Sequence, residues 1–398
     1  MLDKRSGLGQ DRRKRNIQKE QLIALTRGLI KIDSSNPPGN EKEIAFFIKA
    51  YLKKLGVSAK LYEFRKDRPN VVCKIASLNS QKSLLITPHI DTVPPTGKWR
   101  FPPFSGALHK GRIYGRGATD DKVNVAVALH LIKLLQEEKI RLKNLDLVFA
   151  FTADEETGSE FGIKPLLKHL KRLDYGLVLD SNEFDIIVAQ KGLLHLHIEI
   201  FGKEAHGAYP QKGINAIEKS VYILNDILKY KFSKKGHPLL KKPTLNIGKI
   251  EGGDKVNIVA GCNFFELDIR YLPFMSKDEI IAKIKKIIEK YHNRYKIKIL
   301  AHQKPLEISR NHFLVGLLKT VLKHHKIKHH YKASMGATVI NFLKEKGIES
   351  FAFGFGSRGC AHITNEYVKV RNLSKGMQVL KDYVLELDRF LSKKYTTV

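Results

Sequence analysis

Histidines and carboxylates stand directly after apolar runs, or at the start of a helical segment, at several points in this sequence. These residues are His89, Asp120, Glu155, Glu156, Asp180 and His362. Two imidazoles and three carboxylates are enough donors for two divalent metal ions that share one carboxylate, and one acid then remains as a base. Mixed nitrogen and oxygen donors favour zinc, with cobalt or manganese as alternatives.

Each of these motifs is weak when it is taken alone. His89 and Asp91 are two residues apart in an extended segment, so both side chains point the same way and Asp91 can support the ring. Asp120 could instead be a plain helix N-cap. The acids at 154–156 could form a solvated turn, although three consecutive acids after a buried strand are costly unless cations receive them.

Buried-strand patterns alternate with helical patterns along the segments that carry these residues. This alternation predicts a mainly parallel α/β sheet covered on both faces. The predicted strands are 71–75, 83–87, 145–152, 176–180 and 349–355. The predicted helices are 17–32, 43–55, 122–136, 161–170, 313–324, 339–345 and 374–391. Open α/β sheets bind ligands at the carboxyl ends of their strands, which is where the candidate residues stand.

The pattern changes after Gln190. The segment 194–200 (LHLHIEI) alternates apolar and polar residues, which is typical of a half-exposed strand. Together with the segments up to residue 300 it predicts the order β-α-β-β-α-β of a small ferredoxin-like sandwich. We therefore divide the chain into a discontinuous catalytic domain, residues 1–190 and 304–398, and an inserted lid domain, residues 191–303.

Composition narrows the class of protein. The 398 residues suit two domains. A net charge of +31 could favour binding to nucleic acid or to an anionic surface. However, the basic residues are dispersed and no nucleic-acid motif occurs, so we expect a solvated basic surface, with a basic binding protein as the distant alternative. Three separated cysteines, no apolar run long enough for a membrane span and no secretory signal predict a soluble cytoplasmic protein.

Several nucleotide and hydrolase motifs can be set aside. Gly354, Gly356 and Gly359 spell GxGxxG, but no helix is predicted to open there, so a dinucleotide site is not expected. The sequence contains no GxSxG for a serine hydrolase and no GxxxxGK[ST] for an NTPase.

Seven motifs together resemble the M20 metallopeptidase family, the group of acetylornithine deacetylase, succinyl-diaminopimelate desuccinylase and aminoacylase. They span almost the whole chain in the family's order: SSNPPGNE, PHIDTVPP, WxxxPF, GxxYGRGATDDK, TADEETGS, GKEAHGAYPxxGINAI and AHITNEYV. The resemblance implies a zinc-peptidase-like catalytic domain with an inserted lid. It also implies an amide hydrolase with two divalent metals that is a homodimer through the lid.

The resemblance implies roles for the individual residues. One metal would be bound by His89 and Asp180 and the other by Glu156 and His362, with Asp120 as the bridge. Glu155 would be the general base, Asp91 would support His89, and His206 would hold the carbonyl oxygen. Weaker matches make Asn257, Arg270, Gly336 and Thr338 substrate contacts.

Three departures from the family pattern bear on the substrate. Position 121 is Asp where Met is common, and position 123 is Val where Gly is usual. Position 180 is Asp where deacetylases and desuccinylases usually have Glu, and Glu183 is a rival ligand nearby. The resemblance implies an N-acyl-amino-acid deacylase, but Asp at position 180 is more typical of the family's peptidase branch, so a dipeptidase or carboxypeptidase of the same family is the alternative.

Overall fold

A computed structural model describes residues 3–334 and 338–395 of the chain, which form two compact units. The first unit comprises Met1–Val188, Ile308–Lys332 and Phe342–Val398, and the second comprises Ala189–Glu307 and Ala333–Asn341. The second unit thus begins close to the inserted segment expected from the sequence. It also takes in a short later segment that no sequence pattern indicates.

The described residues contain nine α helices and sixteen strands. The helices are α1 (Asp3–Ile30), α2 (Glu41–Lys54), α3 (Lys122–Glu137), α4 (Ile163–Leu166), α5 (Ala216–Lys229), α6 (Lys277–Glu289), α7 (Phe313–His324), α8 (Ile340–Glu345) and α9 (Val370–Tyr395). The strands are β1 (Ala59–Glu63), β2 (Pro69–Ile75), β3 (Lys82–Thr87), β4 (Ala107–His109), β5 (Arg112–Tyr114), β6 (Leu145–Phe151), β7 (Tyr175–Leu179), β8 (Ile186–Gln190), β9 (Gly192–Phe201), β10 (Thr244–Gly252), β11 (Cys262–Tyr271), β12 (Tyr295–Gln303), β13 (Leu306–Glu307), β14 (Tyr331–Ser334), β15 (Glu349–Phe353) and β16 (Tyr367–Lys369).

The first unit is built on a sheet whose central strands run in the order β6-β3-β7-β15 and are parallel to one another. On one side β2 and β1 continue the sheet in antiparallel orientation, and on the other side β8 also pairs antiparallel. Every residue of β6 and of β7 is buried, as expected for strands covered on both faces. The predicted mainly parallel α/β sheet is confirmed at its centre, and its outer strands make it a mixed sheet.

The parallel orientation of the four central strands brings their carboxyl ends to one edge of the sheet. The pairing of β3 with β6 continues beyond the strands, where the Ile90 N–H donates to the Thr152 carbonyl at 2.8 Å. Helix α3 starts at Lys122 and is buried along nearly its whole length, where it packs with α1 and α9. The chain segments after β3, β6, β7 and β15 therefore leave the sheet side by side.

The second unit contains a four-stranded antiparallel sheet in the order β10-β11-β9-β12. Strands β9 and β11 alternate buried and partly exposed residues, and their buried side chains form one core with α5 and α6. The element order β-α-β-β-α-β is the one predicted from the sequence and matches a ferredoxin-like sandwich. Its role as a lid stays a prediction.

The helix predicted over 161–170 is wrong. Only α4, a single turn, forms there. Pro165 has no backbone N–H and is tolerated only within the first turn of a helix, so a helix through Pro165 cannot begin as early as residue 161. Phe161 is held elsewhere: its N–H donates to Asp154 at 2.9 Å, and its carbonyl accepts from the Asn70 amide at 2.9 Å. A Cβ at Gly162 would lie 2.0 Å from the Ala153 carbonyl oxygen, so this close approach requires glycine.

Other helix ends also differ from the sequence-based bounds. Helix α1 begins at Asp3 rather than at residue 17 and ends at Ile30, and α9 spans Val370–Tyr395 rather than 374–391. Gly354, Gly356 and Gly359 lie in a loop, and the next helix to begin after them is α9. Among the described residues, no helix has the length and apolar character that would let it cross a membrane.

Candidate metal centre

Imidazole and carboxylate donors meet at the carboxyl edge of the central sheet in two groups that share Asp120. In the His89 group, one donor atom each from His89, Asp120, Asp121 and Asp180 lie within 4.8 Å of one another. In the His362 group, the same holds for Asp120, Glu156 and His362. The structure thus brings together all five residues that the sequence nominated as ligands and adds Asp121.

Asp120 lies between the two histidines. Its Oδ1 is 2.9 Å from His89 Nε2, and its Oδ2 is 3.2 Å from His362 Nε2. His362 Nε2 is also 3.1 Å from Glu156 Oε1. These contacts hold the pKa of Asp120 below its usual range against the effect of its burial, and they raise the pKa of His362 to about 10. One carboxylate therefore contributes an oxygen to each group.

His89 follows β3 and is almost fully buried, with 3% of its surface exposed. Its Nδ1 lies 3.1 Å from the backbone oxygen of Asp91 and 3.4 Å from Asp91 Oδ1. Both oxygens are acceptors, so Nδ1 carries a proton and donates to Asp91. Nε2 is thereby left to face Asp120. Burial favours the neutral ring, but Asp121, Asp120 and Asp91 raise the pKa of His89 well above its usual value.

Asp91 connects the strand end of β3 to the turn after β6. Its Oδ1 accepts from the Glu155 N–H and its Oδ2 from the Glu156 N–H, both at 3.1 Å, and Asn36 Nδ2 donates to Oδ2 at 2.9 Å. Burial disfavours the ionised form, yet His89 and these donors hold the pKa of Asp91 below its usual range. Asp91 thus orients the turn that carries Glu155 and Glu156.

The acidic triplet at 154–156 divides into different roles. Asp154 turns away from the donor groups, with a backbone φ of +64°, and lies 2.9 Å from Arg68 Nη2. The same guanidinium group pairs with Glu41, which is fully buried. Arg68 thus supplies a cation for Asp154 alone, and sequence reasoning missed it because it precedes the triplet by more than 80 residues.

The Glu155 carboxylate is uncommitted, in the sense that, within the described part of the chain, neither hydrogen bonds nor the donor groups occupy it. Among the described residues its carboxylate accepts no hydrogen bond, and it belongs to neither donor group. Desolvation, together with the nearby Asp180, Glu156 and Asp91, raises its pKa well above the usual value despite the favourable effect of His89. A carboxylate with a raised pKa and a free oxygen beside a ligand site is what a general base requires.

Negative charge is in excess at this edge of the sheet. Burial and then the charge of Asp120 raise the pKa of Asp180 to about 7, and burial also raises the pKa values of Asp121 and Glu156. In the described part of the chain, no lysine or arginine forms an ion pair with any acid of the two donor groups or with Glu155. Divalent cations would supply the missing positive charge, so the donor set fits two metals.

Two further carboxylates were not singled out as functional from the sequence. Asp121 occupies the N-cap position of α3 without capping it; its Oδ2 instead accepts from the His89 N–H at 3.0 Å. Glu366 is fully buried and accepts hydrogen bonds from the turn that carries Asp120. The signal for Asp121 was its unusual presence in the GRGATDDK motif, whereas the contacts of Glu366 have no local signal.

Glu183, the rival of Asp180, lies outside both groups. Its Oε1 is 2.5 Å from Lys369 Nζ, which lowers its pKa against the opposing effect of burial. Asp180 directly follows β7 and is the carboxylate of this pair that reaches Asp120 and His89.

The remaining nominated residues belong to the second unit. His206 and Asn257 are exposed neighbours, because the Gly207 N–H donates to the Asn257 carbonyl at 2.7 Å. Arg270 is held by Asp268 through two hydrogen bonds of 2.7 and 3.0 Å. The Thr338 hydroxyl donates to Gln190 at 2.7 Å, and Gly336 lies outside the described residues.

Comparison with known proteins gives consistent matches over nearly the whole chain. A family model described as peptidase family M20/M25/M40 matches residues 85–386. An uncharacterized metallohydrolase of Methanocaldococcus jannaschii is 31% identical over 90% of this chain and 98% of its own length. A succinyl-diaminopimelate desuccinylase of Orientia tsutsugamushi is 27% identical over 90% of this chain and 94% of its own.

Solved structures agree on the fold. The aminopeptidase PepT of Bacillus cereus superposes with a TM-score of 0.74 at 22% identity and covers 92% of this chain and 98% of its own. A Bacillus subtilis protein described as a dinuclear metal-binding peptidase superposes with a TM-score of 0.72 at 15% identity, covering 94% of this chain and 99% of its own.

Proposed function

The chain belongs to peptidase family M20/M25/M40 and is a metallohydrolase of that family, and on this premise we propose that it hydrolyses the amide bond of an N-acyl amino acid with two divalent metal ions. One observation carries the proposal: two donor groups share Asp120, and the uncommitted Glu155 stands beside them. In this proposal His89 and Asp180 would hold one ion and Glu156 and His362 the other, and Asp120 would be a ligand shared by the two. Zinc suits the donor set best, with cobalt or manganese as alternatives.

The residues of the chain divide the reaction between them. When bound, the two cations supply positive charge that polarises the amide carbonyl and acidifies the attacking water. Glu155 accepts the proton of that water on a carboxylate oxygen and passes it to the leaving amine. Asp91 accepts hydrogen bonds from the N–H groups of Glu155 and Glu156, and so fixes the position of the base, Glu155, relative to the ligand Glu156. His206, carried by the second unit, stabilises the developing oxyanion.

A second candidate substrate class is a dipeptide or another short peptide, cleaved by the same residues as a dipeptidase or carboxypeptidase would cleave it. Asp180 favours this class, since Asp at that position is more typical of the peptidase branch. Asn257, Arg270, Gly336 and Thr338 would contact either substrate.

The wider setting belongs to the same proposal. We expect a cytoplasmic homodimer that associates through the second unit as a lid, with no membrane or nucleic-acid partner. Three free cysteines, two of them buried, are in keeping with a reducing compartment.

The test is a substrate screen on protein stripped with a chelator and reloaded with zinc, cobalt or manganese. N-acetyl and N-succinyl amino acids are compared with dipeptides and tripeptides, and the class with the higher kcat/KM identifies the substrate. Glu155→Gln should lower kcat about 10²- to 10⁴-fold, because it removes a general base, while both metals remain bound. Glu160→Gln is the matched control, since Glu160 lies in the same loop and, in the part of the chain that the structure describes, forms an ion pair with Lys164 alone. Full activity of metal-loaded Glu155→Gln would refute the mechanism.

A further inference from the structure

Glu366 is a fully buried carboxylate in the loop that also carries His362. Its Oε1 accepts from the backbone N–H groups of Thr119 at 2.7 Å and Asp120 at 3.0 Å. Its Oε2 accepts from the Gly117 N–H at 3.1 Å and from Arg116 Nη1 at 2.8 Å. Four donors on two oxygens leave no acceptor for a carboxyl proton, so the geometry fits the ionised form.

The turn at 115–120 depends on these bonds. Its N–H groups precede α3 and converge on one point, which is the arrangement that favours an anion. Gly117 adopts a φ of +80°, and a Cβ there would lie 2.7 Å from the Thr92 side chain. The two segments are further joined by the Gly115 N–H, which donates to the Glu366 carbonyl at 2.9 Å.

The same two segments each deliver one donor of the His362 group. Asp120 ends the turn whose N–H groups donate hydrogen bonds to Glu366. His362 lies four residues before Glu366 in the chain. One carboxylate therefore fixes both the orientation of the shared aspartate and the distance between the turn and the histidine loop.

We propose that Glu366 is a positioning residue that assembles the His362 group by holding the Asp120 turn against the His362 loop. The inference rests on the proposed function, because it concerns the second of the two ions. Glu366→Gln would place an NH₂ donor against N–H groups or against Arg116 and leave at least one backbone N–H without an acceptor. The geometry of Asp120 would be lost while its own carboxylate is still present.

A metal titration of the full-length apoprotein tests this role. Co²⁺ binding is followed by calorimetry and by the visible spectrum of the bound ion. Glu366→Gln should weaken the equivalent held by the His362 group about 10- to 100-fold, weaken the other equivalent less, through the shared Asp120, and alter the Co²⁺ spectrum, as the loss of a residue that orients a ligand does. Glu366→Asp keeps the negative charge, but its shorter side chain moves the carboxylate away from the N–H groups of the turn. It should therefore show the same changes to a smaller degree.

Asp388→Asn is the matched control. Asp388 is also a buried carboxylate, and it accepts from the backbone N–H groups of Lys143, Asn144 and Leu145 at 2.8–3.1 Å, but it does not face the donor groups. It should lower stability and leave both Co²⁺ affinities and the spectrum unchanged.

The outcomes separate the inference from the proposed function. Two wild-type affinities and a wild-type spectrum in Glu366→Gln would overturn the inference, and so would an equal loss in Asp388→Asn. Failure of both Glu366 variants to fold would overturn it too, since Glu366 would then serve folding rather than the His362 group. If the wild type itself binds fewer than two equivalents, the proposed dinuclear function fails instead.

Discussion

At the scale of single residues, Asp91 is the junction between the histidine of one donor group and the turn that carries the base. Three donors and the His89 ring surround its two oxygens. Because all these groups donate to Asp91, a side chain at this position that is itself a donor would face another donor. The short spacing from His89 suggests the first of these contacts, but the contacts to Glu155, Glu156 and Asn36 depend on the fold.

Asp91→Asn should lower kcat/KM about 10- to 100-fold with little change in the far-ultraviolet spectrum. The new NH₂ group would oppose the Glu155 or Glu156 N–H and displace the base or a ligand. The measurement is steady-state hydrolysis by the zinc-loaded enzyme. Asp33→Asn serves as the control, because Asp33 accepts from Ser35 in a neighbouring loop without facing the donor groups. Equal losses in the two variants would contradict the positioning role of Asp91.

Asp146 makes stability depend on pH far from the donor groups. Burial opposes its ionisation, but Lys74, Ser80 and Ser77 hold its pKa at about 2, below the usual 3.8. A lowered folded-state pKa contributes stability that is complete above the unfolded pKa of about 4 and is lost as the pH falls towards 2. The contribution is about 1–2 kcal/mol, discounted because the Lys74 side chain is 53% exposed.

Asp146→Asn should therefore be less stable than the wild type at pH 6. The difference in the free energy of unfolding should shrink between pH 4 and pH 2. Urea unfolding followed at each pH measures it. A difference that stays constant across this range would show that the ionised carboxylate is not the source.

At the scale of elements, four parallel strands explain why distant residues meet. β3, β6, β7 and β15 deliver His89, the turn at 154–156, Asp180 and the loop of His362 to one edge of the sheet. Helix α3 contributes through its start, where the turn before Lys122 presents Asp120. The segment 161–170 shows the opposite case: its pattern is helical, but Pro165 prevents a start as early as residue 161, and only the single turn of α4 forms.

The start of α5 in the second unit offers a test of element stability. The Asn215 side chain accepts from the N–H groups of Ile217 and Glu218 at 2.9 and 3.3 Å. Asn215→Ala should cost about 1 kcal/mol of unfolding free energy, as the loss of an N-cap does. Asn40→Ala is the control, since Asn40 stands at the N-cap of α2 without a capping hydrogen bond. Chemical denaturation of both variants decides, and a larger loss in Asn40→Ala would be the contrary result.

At the scale of the whole molecule, charge is distributed unevenly. The chain carries a net charge of +31, yet the carboxyl edge of its central sheet gathers carboxylates whose only cationic partners, within the described residues, are two histidines. The apoprotein therefore holds repulsion that bound cations would relieve.

Removal of the metals should consequently lower the Tm. A ligand that binds only the folded state stabilises it by about 2.7 kcal/mol at a free concentration 100 times its Kd. Scanning calorimetry of the chelator-treated protein, with and without added zinc, measures this difference. His362→Ala should show a smaller gain from zinc than the wild type, because it removes a donor of one group. An unchanged Tm on addition of zinc to the wild type would contradict the proposed site.

The types of candidate ligand and the plan of the fold can be read from local sequence alone. Residue types such as His89, Asp120 and Glu156 can be read directly. Buried-strand patterns predict a parallel sheet, and parallel strands must bring their carboxyl ends together. The order β-α-β-β-α-β of the second unit followed from local periodicity in the same way.

Only the tertiary structure decided which side chain faces which. Asp121 accepts from the His89 N–H instead of capping α3, Asp154 pairs with Arg68, and Glu366 accepts from the turn of Asp120 across more than 240 residues of chain. Such contacts leave no periodic trace, because a buried carboxylate pairs with whatever donor the packing brings to it. The identity of ligands is local information, whereas the groups that orient them are set by long-range packing.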